Sequence, residues 1–233
     1  MSKTCLIFHS VVLVHHVVTI YHMNELSTSY MKFPDGRTRD MLSVGPRFFT
    51  SWNIGIQTIY FLIALLLDLT RFMKETKAIE EYKTKLTKFN GYLYNVIMFP
   101  ATLLVFIAFW GMFSIKRDWV LPQQLEDACP VWLNSAIHTN IIPVLLGELL
   151  IYVGEMPRPK FKTAMIISNF FMAIYTFQYL MTYYSSGLWM YGIFYDVNWT
   201  LRGVLVLSTF VILGAFLKMG YWIQNYRNQK KFV

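Results

Sequence analysis

Apolar residues in this chain come in long unbroken runs, not in the short alternations of a half-buried strand. Six runs stand out, at roughly 5–23, 48–67, 92–114, 130–153, 163–183 and 201–222. Each approaches the about 20 residues a helix needs to cross a hydrocarbon layer about 30 Å thick. The longest hydrophilic stretches, 24–47 and 68–91, are too short to bury a core of their own. The pattern predicts an all-α protein, a polytopic membrane helix bundle of about six transmembrane helices. It forms a single integral membrane domain over 1–233 with a basic tail at 226–233. The first run is the least apolar, since it holds His9, His15 and His16. A cleavable signal peptide is the competing reading, with Lys3 as its basic start. No A-x-A-like cleavage site follows, so a retained helix is expected.

Composition agrees with the runs. Of the 233 residues, 55% are hydrophobic, 18% aromatic and only 15% charged, against roughly 25% charged in soluble domains. Lys and Arg are distributed unevenly between the two sides that six crossings define. The termini, 68–91 and the stretch before the fifth run carry 13, and the opposite connections carry 6. The bias predicts that both termini are cytosolic. Much of the net charge of +8 then faces anionic membrane lipid. The basic residues flank helices and form no groove-lining motif, so no nucleic-acid partner is expected. Cys5 and Cys129 fall on opposite faces and cannot pair within one chain. Asn198-Trp199-Thr200 is a glycosylation sequon, crowded against the sixth run.

The chain ends Lys230-Lys231-Phe232-Val233. Lysines three and four places from a cytosolic C-terminus match a di-lysine signal, read by the coat proteins that return cargo to the endoplasmic reticulum. The plain alternative is a positive-inside basic tail, which would serve equally at the plasma membrane. The register of the pair favours retrieval.

Polar side chains inside the runs carry the candidate chemistry. Thr50, Asn53 and Gln57 share one side of the second helix, at i, i+3 and i+7. Asn134 and His138 share a side of the fourth, at i and i+4. Pro130 suits a first helical turn. Pro143 cannot donate to the carbonyl of Thr139, so a kink is expected there. Thr50 lies about one turn into its helix and His138 about 12 Å from Pro130, both entering from the same side. A hydroxyl and an imidazole at comparable depth could meet. Blander readings exist: a membrane threonine often bonds its own helix at i−4, and Asn and Gln serve as packing glue between helices. An intramembrane histidine points to function by default. Glu148, about 15 Å along the helix from His138, is expected to be structural or interfacial. His9/His16 and His15/His22, each seven apart, offer ligand-like faces. A haem would need a facing ligand, and His138 is the only other histidine, so no cofactor or metal is expected.

Four blocks carry a family resemblance: "FPATLLVFIAFW" with "KRDWVLP" (99–110, 116–122), "PVWLNSAIHT" (130–139), "GLWMYGIF" (187–194) and the Thr50-x-x-Asn53-x-x-x-Gln57 face. In that order on a six-helix pattern, they resemble the family of androgen-induced gene 1 protein and androgen-dependent TFPI-regulating protein, over nearly the whole chain. The resemblance implies a membrane threonine hydrolase that cleaves fatty-acid esters of hydroxy fatty acids. Carried over by position, its essential pair is Thr50 and His138. Two positions depart from the family pattern. Ser135 stands where a second histidine is usual, and Pro46 where an aromatic usually precedes the threonine.

The expected mechanism is nucleophilic attack by Thr50 with His138 as general base. Asn134 or Asn53 orients the imidazole or donates to the oxyanion, with Gln57 and Ser135 as further supporting candidates. No aspartate is placed to complete a triad. The expected partners are a lipid ester drawn from the bilayer and the membrane lipids themselves. A non-enzymatic class remains open at this point: a six-helix transporter or lipid-binding scaffold whose polar faces serve packing.

Overall fold

The structure, a computed structural model, describes residues 3–34, 36–152 and 156–229. Lys230 and Lys231 lie outside the described residues. Among those described, every regular element is helical. In chain order these are α1 (Lys3–Thr28), a short α2 (Gly36–Ser43), α3 (Phe49–Leu69), α4 (Lys77–Leu93), α5 (Phe99–Ile115), a short α6 (Gln123–Ala128), α7 (Val131–His138), α8 (Ile141–Ile151), α9 (Phe161–Ser186), a single turn α10 (Ile193–Asp196) and α11 (Trp199–Gln229). Helix α1, helix α3, the continuous 77–115 segment, α9 and α11 are each long and apolar enough to cross a membrane. The pair α7–α8, bent by 44°, is together apolar enough to be a sixth, so the candidate crossings among the described residues number five or six. The expectation of an all-α membrane bundle of about six crossings agrees with this.

Its boundaries shift for local reasons. The third run was expected at 92–114, but the helix begins at Lys77 and continues for 39 residues to Ile115. Residues 77–88 are rich in Lys and Glu, good helix formers. Thr76 caps them, accepting the Ile79 N–H at 3.3 Å. Apolar content marks only the part within lipid, and nothing in the polar part stops the helix. A π-helical turn at Tyr94–Met98 joins α4 to α5 just before Pro100, which has no N–H to give. At the other end of the bundle, Asn198 caps α11 through the Leu201 N–H.

The kink expected at Pro143 is present, and the break falls at Thr139–Asn140. Pro143 leaves the Thr139 carbonyl without its usual donor, and Ile142 N–H takes it over at 3.1 Å. Asn140 N–H reaches back to the Ser135 carbonyl at 2.8 Å. The bend turns the His138 end of α7 away from the line of α8.

Faces are sorted opposite to those of a water-soluble bundle. On α1, Ile7, Val11, Val14 and Val18 are exposed, while His9, Val12, His16 and Thr19 are buried. The polar groups inside pair with one another. His9 Nδ1 meets Asp68 at 2.8 Å and His9 Nε2 meets Glu148 at 2.9 Å. Tyr60 donates its hydroxyl to the other Glu148 oxygen at 2.6 Å. Glu148 thus has a bundle-holding position, and both ring nitrogens of His9 face protein carboxylates. Of the seven-residue histidine spacings, His9 and His16 turn inward, and His15 and His22 are only half-buried.

The 24–47 connection has no core of its own, but it seats side chains in the bundle's. Met41, Leu42 and Val44 are buried. Ser27 donates to the Leu42 carbonyl at 2.7 Å. Arg37 donates to the Asp118 carbonyl at 2.5 Å, and Gly192 N–H to that of Trp119 at 2.8 Å. Beside them Asp196 accepts from Lys116 at 2.6 Å and from the Trp119 indole at 2.7 Å. The Lys116 hydrogen bond, then that of Trp119, hold the Asp196 carboxyl below the usual carboxylate range.

Candidate active site

Thr50 is the second residue of α3, and His138 is the last residue of α7. Their side chains meet, with Thr50 Oγ1 3.3 Å from His138 Nε2. The other imidazole nitrogen, Nδ1, lies 2.9 Å from Asn134 Oδ1. An amide oxygen can only accept, so Nδ1 carries the proton and Nε2 is left to accept from the threonine hydroxyl. The i, i+4 spacing of Asn134 and His138 is what lets one side chain steer the other on a single helix. His138 is 8% exposed and Thr50 is half-buried.

Phe109 of α5 lies flat on the imidazole, with ring centroids 3.5 Å apart and planes 8° from parallel. This contact was not anticipated. Its sole signal was membership of the 99–110 block, where several aromatics look alike. Tyr191, from the 187–194 block, accepts the N–H of Phe49 at 3.4 Å and bonds Tyr175 at 3.0 Å. It braces the first turn of α3, which carries Thr50. The three contiguous blocks therefore each supply a side chain to this site or to its support.

Asn53 and Gln57 are not brought to the pair. They turn toward α1 and α5 and form a buried chain. His16 Nε2 bonds Gln57 at 3.0 Å, Gln57 donates to Thr102 at 3.0 Å, and Thr102 donates to Asn53 Oδ1 at 2.9 Å. The shared side of α3 is thus divided between two neighbours, with Thr50 toward α7 and the two amides toward the bundle centre. Ser135 is half-buried, one residue past Asn134. Its carbonyl accepts the Thr139 and Asn140 N–H groups at the kink.

A cavity of about 790 Å³ opens against Thr50 and His138. Its walls are mainly apolar, with Phe49, Ile54, Leu104, Leu133 and Met172 among them. Toward the charged end of the bundle a smaller cleft of about 500 Å³ shares Met41 and Trp119 as walls. Cys129 also lines the larger cavity, and burial pushes its thiol up to about 11. Among the described residues no group of three or more His, Cys, Asp or Glu side chains is arranged to hold a metal ion.

The sequence pattern of the FAR-17a/AIG1-like protein family matches residues 4–225. Androgen-dependent TFPI-regulating protein of Homo sapiens is 30% identical over 227 residues, covering 95% of this chain and 93% of that protein. Its Rattus norvegicus counterpart is 29% identical over 230 residues, with 95% and 93% covered. Androgen-induced gene 1 protein of Homo sapiens is 24% identical over 183 residues, with 77% and 76% covered. No solved structure matches the chain. A family pattern that covers the chain almost from end to end, on a bundle with five or six candidate crossings, places this protein in the FAR-17a/AIG1-like family.

Proposed function

We propose that the protein is an intramembrane lipid ester hydrolase that cleaves fatty-acid esters of hydroxy fatty acids, with Thr50 as nucleophile and His138 as general base. One observation carries the reading: the Thr50–His138–Asn134 relay stands at the wall of a large apolar cavity inside a membrane bundle. A packing scaffold has no need of an accepting imidazole nitrogen aimed at a hydroxyl beside an apolar space. An ester with two alkyl chains suits that space.

The steps follow from the geometry. Thr50 Oγ attacks the ester carbonyl carbon as His138 Nε2 takes the hydroxyl proton. The tetrahedral oxyanion forms beside the first turn of α3, at the positive end of the helix dipole. Collapse breaks the ester bond. The hydroxy fatty acid leaves with the proton returned by His138, and an acyl-threonine remains. Water then gives its proton to Nε2 and attacks the acyl carbonyl. Cleavage frees the fatty acid and restores the Thr50 hydroxyl. Asn134 keeps Nδ1 protonated throughout, so the same nitrogen alternates as base and acid.

The test is labelling and turnover in membranes carrying the protein. A fluorophosphonate should modify the protein at Thr50, and Thr50→Ala and His138→Ala should each abolish hydrolysis of the lipid ester. The two should not add, since they act as a unit. Thr50→Ser should keep part of the rate. Wild-type turnover by Thr50→Ala, or a label that maps to Ser135, would sink the threonine mechanism. The scaffold reading predicts no label at all.

The bundle is read with both termini and 68–91 in the cytosol, in the endoplasmic reticulum membrane, with Lys230 and Lys231 as the retrieval signal for coat proteins. A C-terminal tag should be digested in intact microsomes. Replacing both lysines by serine should let the protein leave the reticulum. A protected tag overturns the topology, and an unmoved double variant overturns the retrieval reading.

A further inference from the structure

The cavity is capped at its charged end and open on its flank. At the charged end α2 turns Met41 and Leu42 inward. The bond from Arg37 fastens that cap to the Asp118 carbonyl, and Gly192 N–H bonds the neighbouring Trp119 carbonyl. On the flank, Ile107, Gly111 and Ile115 follow one another at single-turn spacing along α5. All three line the cavity, and all three are exposed, Ile107 at 49% and Ile115 at 75%. Facing them on α11, Ile212 lines the cavity and is 37% exposed. Residues that line the cavity and stay this accessible stand where it opens.

The cause lies in how α5 and α11 approach. At one end Gly220 admits the Phe99 ring so closely that a Cβ there would stand 2.8 Å from it. Nearby Leu217 and Leu213 are fully buried. At the other end a Cβ on Gly111 would meet nothing within 4 Å. The two helices are in close contact at Phe99–Gly220, and the space beside Gly111 is open. The rim is aliphatic and lies within the apolar length of both helices, so what faces it is the hydrocarbon of the bilayer.

We infer that a long-chain acyl lipid passes sideways from the bilayer into the cavity between α5 and α11, over Gly111. Burying alkyl chain against Ile107, Ile115 and Ile212 replaces one apolar surface by another, so the transfer never brings the chain into water. A route through the capped end would draw the same chain past Arg37, Asp40 and Lys116, the charged walls of the smaller cleft. The cargo's identity as an ester rests on the hydrolase reading, whereas the doorway does not depend on it.

The experiment uses the full chain in phosphatidylcholine vesicles containing a long-chain fatty acid that bears a photoreactive diazirine. In the wild type, light should attach the probe both to the lipid-facing Val211 peptide and to cavity peptides that carry Ile54 and Met172. Gly111→Trp fills the doorway. It should lower cavity labelling about tenfold, the scale on which filling an apolar site discriminates, and retain the Val211 label as proof of insertion. Gly203→Trp on α11, exposed and outside the cavity lining, should label as wild type does. Cavity labelling by Gly111→Trp at the wild-type level would overturn the doorway. In parallel, Gly111→Trp should lower the turnover ratio of long-chain to short-chain ester. A wild type that admits the probe but cleaves neither ester keeps the doorway and overturns the hydrolase reading.

Discussion

The Phe109 ring lies on the His138 imidazole at 3.5 Å, with the planes 8° apart. Stacking fixes the plane of the imidazole, and Asn134 fixes its rotation within that plane. Together they leave Nε2 one direction, toward Thr50. On the proposed mechanism, the hydroxyl at 3.3 Å is close enough for a resting general base, whose bonds tighten as charge develops.

Phe109→Ala should therefore slow turnover by loosening the base. A misplacement of about 1 Å can cost on the order of 10²-fold. The loss should fall on kcat more than on KM, because the ring, although it also lines the cavity, is stacked directly on the base. Phe109→Leu should recover part of it. Steady-state kinetics of the two variants settle the point: equal kcat in wild type and alanine variant would remove Phe109 from the mechanism.

Asn134 should act through the tautomer. In Asn134→Ala the Nδ1 proton has no acceptor, and the ring can carry its proton on Nε2, where it cannot accept from Thr50. A fall on the order of 10²–10⁴ in kcat is expected, as for other groups that orient a catalytic imidazole. Asn134→Asp keeps an acceptor oxygen and should retain more activity. If alanine and aspartate variants lose the same amount, the orienting role fails.

Glu148 should hold the bundle together at the end remote from the cavity. Glu148→Leu leaves His9 Nε2 and the Tyr60 hydroxyl without an acceptor in the protein interior. Breaking a buried charged pair in this way costs about 3–5 kcal/mol. Glu148→Gln keeps an oxygen for one of them and should lose less. The expected order of heat resistance is wild type, then glutamine, then leucine, read as the monodisperse fraction of detergent-solubilised protein after heating. An unchanged midpoint in the leucine variant would show that the cluster contributes nothing.

Cys129 should be a poor rival for electrophiles despite lining the cavity. Burial raises its thiol pKa to about 11, so near neutral pH it is almost wholly protonated, and only the thiolate reacts. Maleimide labelling of Cys129 should be slow at pH 7 and should climb as pH rises toward 11. Fast labelling at neutral pH would mean that the thiol is not held in this environment, and fluorophosphonate mapping would then need a Cys129→Ala background.

The sequence by itself determined the crossings and the kink, because both are local. Six apolar runs have nowhere to go but lipid. Pro143 lacks a donor whatever surrounds it, and the chain breaks where the orphaned Thr139 carbonyl takes another partner. Depth was legible too, since rise per residue places Thr50 and His138 in the same layer before any neighbour is known. Helix rotation was not legible. Thr50, Asn53 and Gln57 share a side of α3, yet a modest turn of that helix decides which of them looks at α7 and which at α1 and α5. Only packing chose Asn134 over Asn53 as the partner of His138. Phe109 could not be told from Phe106 or Phe113 in the same run, because all three are equally apolar and only the position of α7 makes one of them a stacking partner. His9 and Glu148 lie within the first and fourth runs and Asp68 just past the second, and nothing along any one run says which of them meet. The tertiary structure brings them together because a buried charge must find its counterpart inside the protein, and that search is settled between helices, not along them.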